Sequence, residues 1–267
     1  MSTLAGWLAL RSEADSRTRS RELVGELVHR LGPGPIVVHD LGSGSGAMPR
    51  WLAPMLDAHQ EWVLHDADAG ILTQIDPEPV TDGMGRPIRT LTSVEQLADL
   101  PQGAFHGASL VTASALLDVI TADETRIIVD ACVAAACPAL FSLSVTGRVE
   151  LDPADPADAD FGAAFNDHQR RNSAGRRLLG PEAAGVVARM FGAAGWTVRT
   201  VATPWRLGTG ESELIGDWLD GWVGAAIEQQ PSLGAAAHDY LGRRRAQIAD
   251  DVLSVVVDHE DVIAWPR

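Results

Sequence analysis

The chain has 267 residues and no lysine: its 21 basic side chains are all arginines, set against 36 acids for a formal net charge of -15. A sequence this acidic lacks the basic footprint that docks proteins on phosphate backbones, which excludes nucleic acid as a partner. An anionic membrane surface is excluded on the same ground. The missing lysine, beside so much alanine, reads as coding bias and carries no function. Cysteine is scarce: Cys132 and Cys137, on a predicted helix, point to different faces. That spacing favours neither a metal site nor a local disulfide and leaves two buried thiols in a reducing compartment. The longest apolar region, Ile127 to Val145, is broken by Asp130 and Pro138, so it is a helix followed by a strand rather than a membrane span. Leu4 to Leu10 is apolar, but no basic stretch precedes it and Arg11 and Glu13 follow, which is not the pattern of a signal peptide. The expected location is cytoplasmic. Tyrosine occurs once and phenylalanine five times, against eight tryptophans. The tryptophans are expected mostly in the core, with Trp7 or Trp222 able to line an aromatic substrate pocket.

What the chain does contain is a regular alternation of short apolar strands and helices. A helix is predicted over Arg19 to Leu31, with Leu23, Leu27, Val28 and Leu31 on one face and Gly-Pro-Gly-Pro stopping it. Strands are read at Ile36–Val38, Trp62–Leu64, Pro87–Thr92, Ser109–Thr112, Ala139–Val145, Trp196–Ala202 and Leu253–Val257. Helices fall between them near Met48–Asp57, from Thr121 with a capping box to Glu124, and over Pro181–Phe191, Ser212–Ile227 and Leu233–Ala249. The acidic, proline-rich stretch from Glu150 to Asp160 reads as a loop. This βα alternation predicts an α/β fold with a mostly parallel sheet covered on both faces, in one domain over 1–267.

Ligands of such sheets bind beyond the carboxyl ends of the strands. The first strand ends there in His39-Asp40-Leu41-Gly42-Ser43-Gly44-Ser45-Gly46. Glycines permit the sharp turn and close backbone approach, and the next helix start offers free N–H groups to a carboxylate or phosphate. Gly42, Gly44 and Ala47 would fit a dinucleotide fingerprint. Asp40, however, sets a carboxylate where a pyrophosphate would lie, and suits a ligand carrying an ammonium group instead. Asp66 closes the second strand about 20 residues on, where an acid that receives ribose hydroxyls is expected.

These residues resemble the class I S-adenosylmethionine-dependent methyltransferases, whose first motif D-x-G-x-G-x-G stands here as Asp40, Gly42, Gly44 and Gly46. Leu110 to Asp118 looks like the family's fourth motif, where cofactor and substrate meet. The likeness is nearest to small-molecule enzymes of high-GC bacteria, including trans-aconitate methyltransferase-like members. It implies a Rossmann-like, seven-stranded sheet, with a lid segment over 1–20, a substrate-side loop over 147–180 and a helical insertion over 208–250. It implies S-adenosylmethionine held by Asp40, Gly42, Ser43, Gly44, Gly46, Asp66, Ala67 and Ser114, and an O, N or C atom of a small molecule as methyl acceptor. The acid usually found after the third strand is not evident in Leu91-Thr92-Ser93-Val94-Glu95, so Ser93 or Glu95 takes its place. Neither the N/D-P-P-Y/F motif nor the Pro-Cys of nucleobase methyltransferases occurs, which removes a flipped base as substrate.

On the acceptor side, His168 is the expected catalytic residue. It lies in Asn166-Asp167-His168-Gln169-Arg170-Arg171, and an imidazole with an ordinary pKa of about 6.5 can take a proton there. Arg11, Asp118, Asn166 and Arg170 are the expected substrate contacts, Arg170 through the planar fork that grips carboxylates and phosphates. No metal is expected, and the chain is expected as a monomer or homodimer. Two alternatives stand beside this reading: a nucleotide-dependent oxidoreductase, and an S-adenosylmethionine-binding protein without turnover.

Overall fold

The computed structural model describes residues 3–76, 78–173 and 175–267. Two helices come first, α1 (Leu4–Thr18) and α2 (Arg21–Val28), followed by β1 (Ile36–Leu41), α3 (Ala47–Leu52), β2 (Gln60–Asp66), α4 (Ala69–Leu72), β3 (Arg89–Val94) and β4 (Leu110–Ser114). Then come α5 (Ala122–Ala135), β5 (Ala139–Asp152), α6 (Asp158–Gln169), a two-stranded ribbon β6 (Asn172–Ser173) and β7 (Arg176–Arg177), and α7 (Ala183–Ala193). The chain continues with β8 (Thr197–Ala202), β9 (Trp205–Leu207), α8 (Ser212–Gln229), α9 (Gly234–Ala249) and β10 (Ser254–Trp265).

The main sheet runs β3-β2-β1-β4-β5-β10-β8, with β9 as an eighth strand beside β10. The first five strands are parallel, and β10 is antiparallel to β5, β8 and β9. The strand order reverses between β1 and β4, and there the carboxyl ends diverge to open a crevice. Successive buried residues of β4 and β10 point to opposite faces. Leu110 and Ile263 join a core with α2, α3 and α4, while Val111 and Val262 join one with α5 and α7. Both faces are therefore covered, as a parallel sheet requires.

Several elements differ from the sequence reading. A full helix, α1, precedes Arg19; it packs on α8 and β9 and buries only Ala14 and Asp15. So small a buried set gives no amphipathic period to detect. β5 and β10 are far longer than the apolar runs that mark their cores, reaching 14 and 12 residues. Their paired ends, Val149–Asp152 with Ser254–Val257, continue past the sheet as a ribbon. Leu151, Val255 and Val257 of that ribbon pack into a third core with α6, α8 and α9. The stretch from Glu150 to Asp160 is thus strand end, turn and helix start, not loop throughout. Asp158 opens α6 and receives Tyr240 Oη at 2.7 Å, and it also pairs with the fully buried Arg244. Arg244 Nη1 reaches the Pro153 carbonyl at 2.6 Å, tying α9 to the ribbon.

The capping box of α5 is present: Glu124 N donates to Thr121 Oγ1 at 3.2 Å and Thr121 N to Glu124 Oε2 at 2.8 Å. The two cysteines, expected on different faces, are neighbours. Ala136, with φ 51°, ends α5 and turns Cys137 back so that its N–H meets Cys132 O at 3.4 Å, and both thiols are free and buried. Among the described residues no helix is long and apolar enough to cross a membrane, and no cluster of His, Cys, Asp or Glu is placed to hold a metal.

Candidate active site

A cavity of about 650 Å³ opens at the strand-order reversal, between the glycine loop, α1, the start of the segment after β4, and the ribbon with its helices. Its first half is built by the glycine loop. Gly42 and Gly44 take φ of 61° and 53°, left-handed backbone that favours glycine, and a Cβ on Gly42 would push on the Leu116 side chain at 2.8 Å. Gly44 N donates to Asp66 Oδ2 at 2.9 Å, and Asp68 N to Asp66 Oδ1 at 3.0 Å, so Asp66 fixes the loop while keeping further lone pairs for a ligand. Asp40, Gly42, Ser43, Gly44, Asp66, Ala67 and Ser114 all line this half. Gly46 does not; it turns the chain into α3 at φ 78°.

Asp40 and Arg19 give this half its electrostatics. The Asp40 side chain is buried; Oδ1 accepts from Thr112 Oγ1 at 2.7 Å, but Oδ2 has no partner. Burial pushes its pKa up to about 7, offset in part by the Thr112 hydrogen bond. Arg19, in the break between α1 and α2, is also buried. Its Nη2 donates to Ser114 Oγ at 3.0 Å, its plane lies 5.5 Å from the Trp51 ring, and its Nη1 is left without a partner. Burial lowers the Arg19 pKa against the pull of Asp15. Two opposite charges, each with one orphaned atom, thus flank the loop.

At the end of β2 and β3, His65 Nδ1 meets Glu95 Oε1 at 2.6 Å and His65 Nε2 meets His39 Nδ1 at 2.9 Å. Burial, then His65, pulls the His39 pKa down to about 4. Ser93 Oγ also donates to Glu95 Oε1, at 2.8 Å. Of the two candidates after the third strand, Glu95 lines the cavity, and Ser93 stands behind it as its support.

The second half lies beyond Ser114. Arg11 and Asp118 line it, as do Trp205, Trp218, Trp222 and His259. Arg11 is gripped by Asp15 through bonds of 2.8 and 3.2 Å and lies 5.1 Å from the Trp205 ring. Asp118 has its pKa raised by burial to about 6. His168, Asn166 and Arg170 do not reach this chamber. Their neighbours Phe165 and Gln169 do, because α6 presents only one face to it. His168 Nε2 turns instead to Glu228 of α8 at 3.2 Å, Arg170 pairs with Glu182 at 3.1 Å, and Asn166 Nδ2 donates to Gly147 O at 2.8 Å. The placement expected for all three is corrected by the helical phase. Of the arginines crowded near them, Arg176 is engaged by Glu124 at 2.8 Å.

Sequence reasoning missed His259. The signal for His259 was present: Val255, Val257, His259 and Asp261 alternate along β10 and are all buried, so the polar pair stands on the strand's inward face. Asp261 uses that position structurally, receiving Ser20 N, Leu143 N and Thr203 Oγ1 at 2.8, 2.8 and 2.9 Å.

No protein-family model matches this chain, and no curated protein matches it. Among solved structures, a cyclopropane-fatty-acyl-phospholipid synthase-like protein from Lactobacillus casei aligns over 99% of this chain and 94% of its own, at TM-score 0.51 and 13% identity. The two chains share a fold. A mycolic acid cyclopropane synthase complexed with SAH and CTAB aligns over 91% of this chain and 83% of its own, at TM-score 0.47 and 14% identity. A geranyl diphosphate methyltransferase in complex with SAM does so over 92% and 85%, at TM-score 0.45 and 10% identity.

Proposed function

We propose that the chain is an S-adenosylmethionine-dependent methyltransferase acting on a small-molecule acceptor. One observation carries this reading: the orphaned Arg19 Nη1 and Asp40 Oδ2 beside the glycine loop. An unpaired buried donor and acceptor of opposite charge cost free energy that a matching ligand recovers. An amino-acid end supplies both partners at once, a carboxylate for Arg19 and an ammonium for Asp40. A dinucleotide would bring a pyrophosphate against the Asp40 carboxylate, which disfavours the oxidoreductase alternative.

In this reading Asp66 accepts the ribose hydroxyls, with Ala67 beside it. Glu95, its Oε1 engaged by Ser93 and His65, offers Oε2 to the adenine amino group. The bound cofactor supplies an electrophilic methyl on a sulfonium. Ser114, held by Arg19, stands between the two halves of the cavity. Asp118, with its pKa near working pH, is placed to take the proton that the acceptor loses. The sequence resemblance extends the reading to the trans-aconitate methyltransferase-like bacterial members, and to a cytoplasmic protein that is a monomer or homodimer.

Calorimetric titration with S-adenosylmethionine, S-adenosylhomocysteine and NAD tests it. The first two are expected to bind and NAD is not; NAD binding without S-adenosylhomocysteine binding would overturn the assignment. Turnover in an acceptor screen then separates an enzyme from a binding protein.

A further inference from the structure

We propose that the acceptor is a flat, uncharged aromatic molecule whose hydroxyl hydrogen-bonds to His259 Nε2 in the chamber beyond Ser114. This rests on the methyltransferase reading above and goes on to the substrate class.

The chamber is a slot with two unlike walls. The sheet side is aliphatic, formed by Leu143 and Val145 of β5 and Val257 of β10. On the helix side Trp218 and Trp222 stack at 5.4 Å and 20°, and Phe165 leans on Trp222 at 6.4 Å. A planar aromatic body suits a chamber that offers indole and phenyl rings on one side and aliphatic side chains on the other.

Trp222 Nε1 is a buried donor without a partner, and the two acceptors of the slot, His259 and Asp118, ask for a proton donor. His259 Nδ1 lies 2.9 Å from the Val257 carbonyl, and a carbonyl only accepts, so Nδ1 carries the hydrogen. Nε2 is left as a bare lone pair, with no protein partner among the described residues. Burial, reinforced by the Arg11 charge, pulls the ring's pKa down to about 4, so Nε2 does not become a donor near neutral pH. Asp118, the second acceptor, has no hydrogen-bond partner in another residue among the described ones, and burial raises its pKa.

Charge narrows the class further. Arg11 acts on both His259 and Asp118, yet its guanidinium is taken by Asp15. The rim arginines are taken as well, Arg148 by Glu150 and Arg176 by Glu124. An anionic acceptor would find no free cation there and would be repelled by Asp118. A cationic one would lose its hydration in a largely apolar chamber with only Asp118 to offset the charge. A neutral hydroxyl gives its one hydrogen to His259 Nε2 and meets neither penalty.

The test is calorimetry on the full chain, with and without S-adenosylhomocysteine, using four probes of one shape: 2-naphthol, 2-methoxynaphthalene, 2-naphthoic acid and 2-naphthylmethylamine. 2-Naphthol is expected to bind at least ~10-fold tighter than the other three, since a buried acceptor left unpaired costs about that factor. His259→Phe is expected to abolish the preference over 2-methoxynaphthalene while S-adenosylhomocysteine still binds. The wild-type series decides the matter even where that variant does not fold. Equal binding of 2-naphthol and its methyl ether, or tighter binding of the acid or the amine, overturns the inference. Those results with intact S-adenosylhomocysteine binding leave the methyltransferase reading standing, whereas failure to bind S-adenosylhomocysteine removes that reading whatever the naphthalenes do.

Discussion

Replacing Asp40 by Asn is expected to make the ligand-free protein more stable and useless for cofactor binding. Asn is nearly isosteric, and its Oδ1 still accepts from Thr112 Oγ1. What disappears is a carboxylate whose pKa is about 7 in the fold, against 3.8 ordinarily. Below pH 3.8 both states hold the proton and Asp40 costs nothing. Between 3.8 and 7 the unfolded chain releases the proton while the folded chain keeps it, so stability falls as pH rises. At about 1.36 kcal/mol per unit, the penalty reaches ~1.5 kcal/mol at pH 5 and ~4 kcal/mol once pH exceeds 7. Urea unfolding of wild type and Asp40→Asn at pH 5 and pH 8 reads the difference directly. The variant should gain at both values and gain more at pH 8, while losing S-adenosylhomocysteine binding. A variant less stable than wild type at pH 8, or a gain that does not change with pH, refutes the reasoning. A ligand ammonium seated on Asp40 would also lower its pKa, so binding near pH 6.5 should release a proton, seen as a heat that varies with the buffer's ionisation enthalpy.

Asp66→Ala should weaken S-adenosylhomocysteine ~10- to 100-fold in the same calorimeter, because the ribose hydroxyls lose their acceptor and Gly44 N loses its own; unchanged affinity would dismiss its role. Arg244→Ala strands the Asp158 carboxylate against α9 and should cost ~3–5 kcal/mol in denaturant unfolding, with less than ~1 kcal/mol counting against the buried pair as an anchor. His168→Ala should leave turnover within about two-fold of wild type, since its imidazole faces Glu228; a loss of ~100-fold would reinstate it as a base.

The glycine-loop half of the cavity was legible because its residues lie close together in sequence and its geometry is enforced locally. Asp40, Gly42, Gly44 and Asp66 stand at strand ends that apolar runs announce, and left-handed backbone singles out the glycines. The acceptor half was not, since it depends on which way helices and long strands face. His168 was chosen from its neighbourhood in sequence, but the 100° turn per residue of α6 sends Phe165 and Gln169 inward and His168 toward α8. His259 was overlooked because β10 was expected to stop at Val257, where its apolar run pauses. The pause is a polar inward stretch flanked by register shifts at Val257/His259 and Glu260/Val262. The alternation of buried positions nevertheless runs on through His259 and Asp261, so the signal lay in the period and was masked by the change from apolar to polar residues. α1 escaped notice for the opposite reason, having almost no buried stripe to betray it.

The position of β10 between β5 and β8 has a bearing on how the molecule is made. The glycine loop, Asp66 and Ser114 belong to strands that pair with one another early in the chain, so a growing polypeptide can complete that half first. The chamber with His259 waits for the penultimate strand of the sheet to be threaded in from the far end of the sequence, where it meets Trp7 and Arg11 from the first helix. Contacts so distant along the chain close slowly. Chains interrupted before β10 would keep the cofactor loop's ligands while lacking His259 and the ribbon that carries the helical cap.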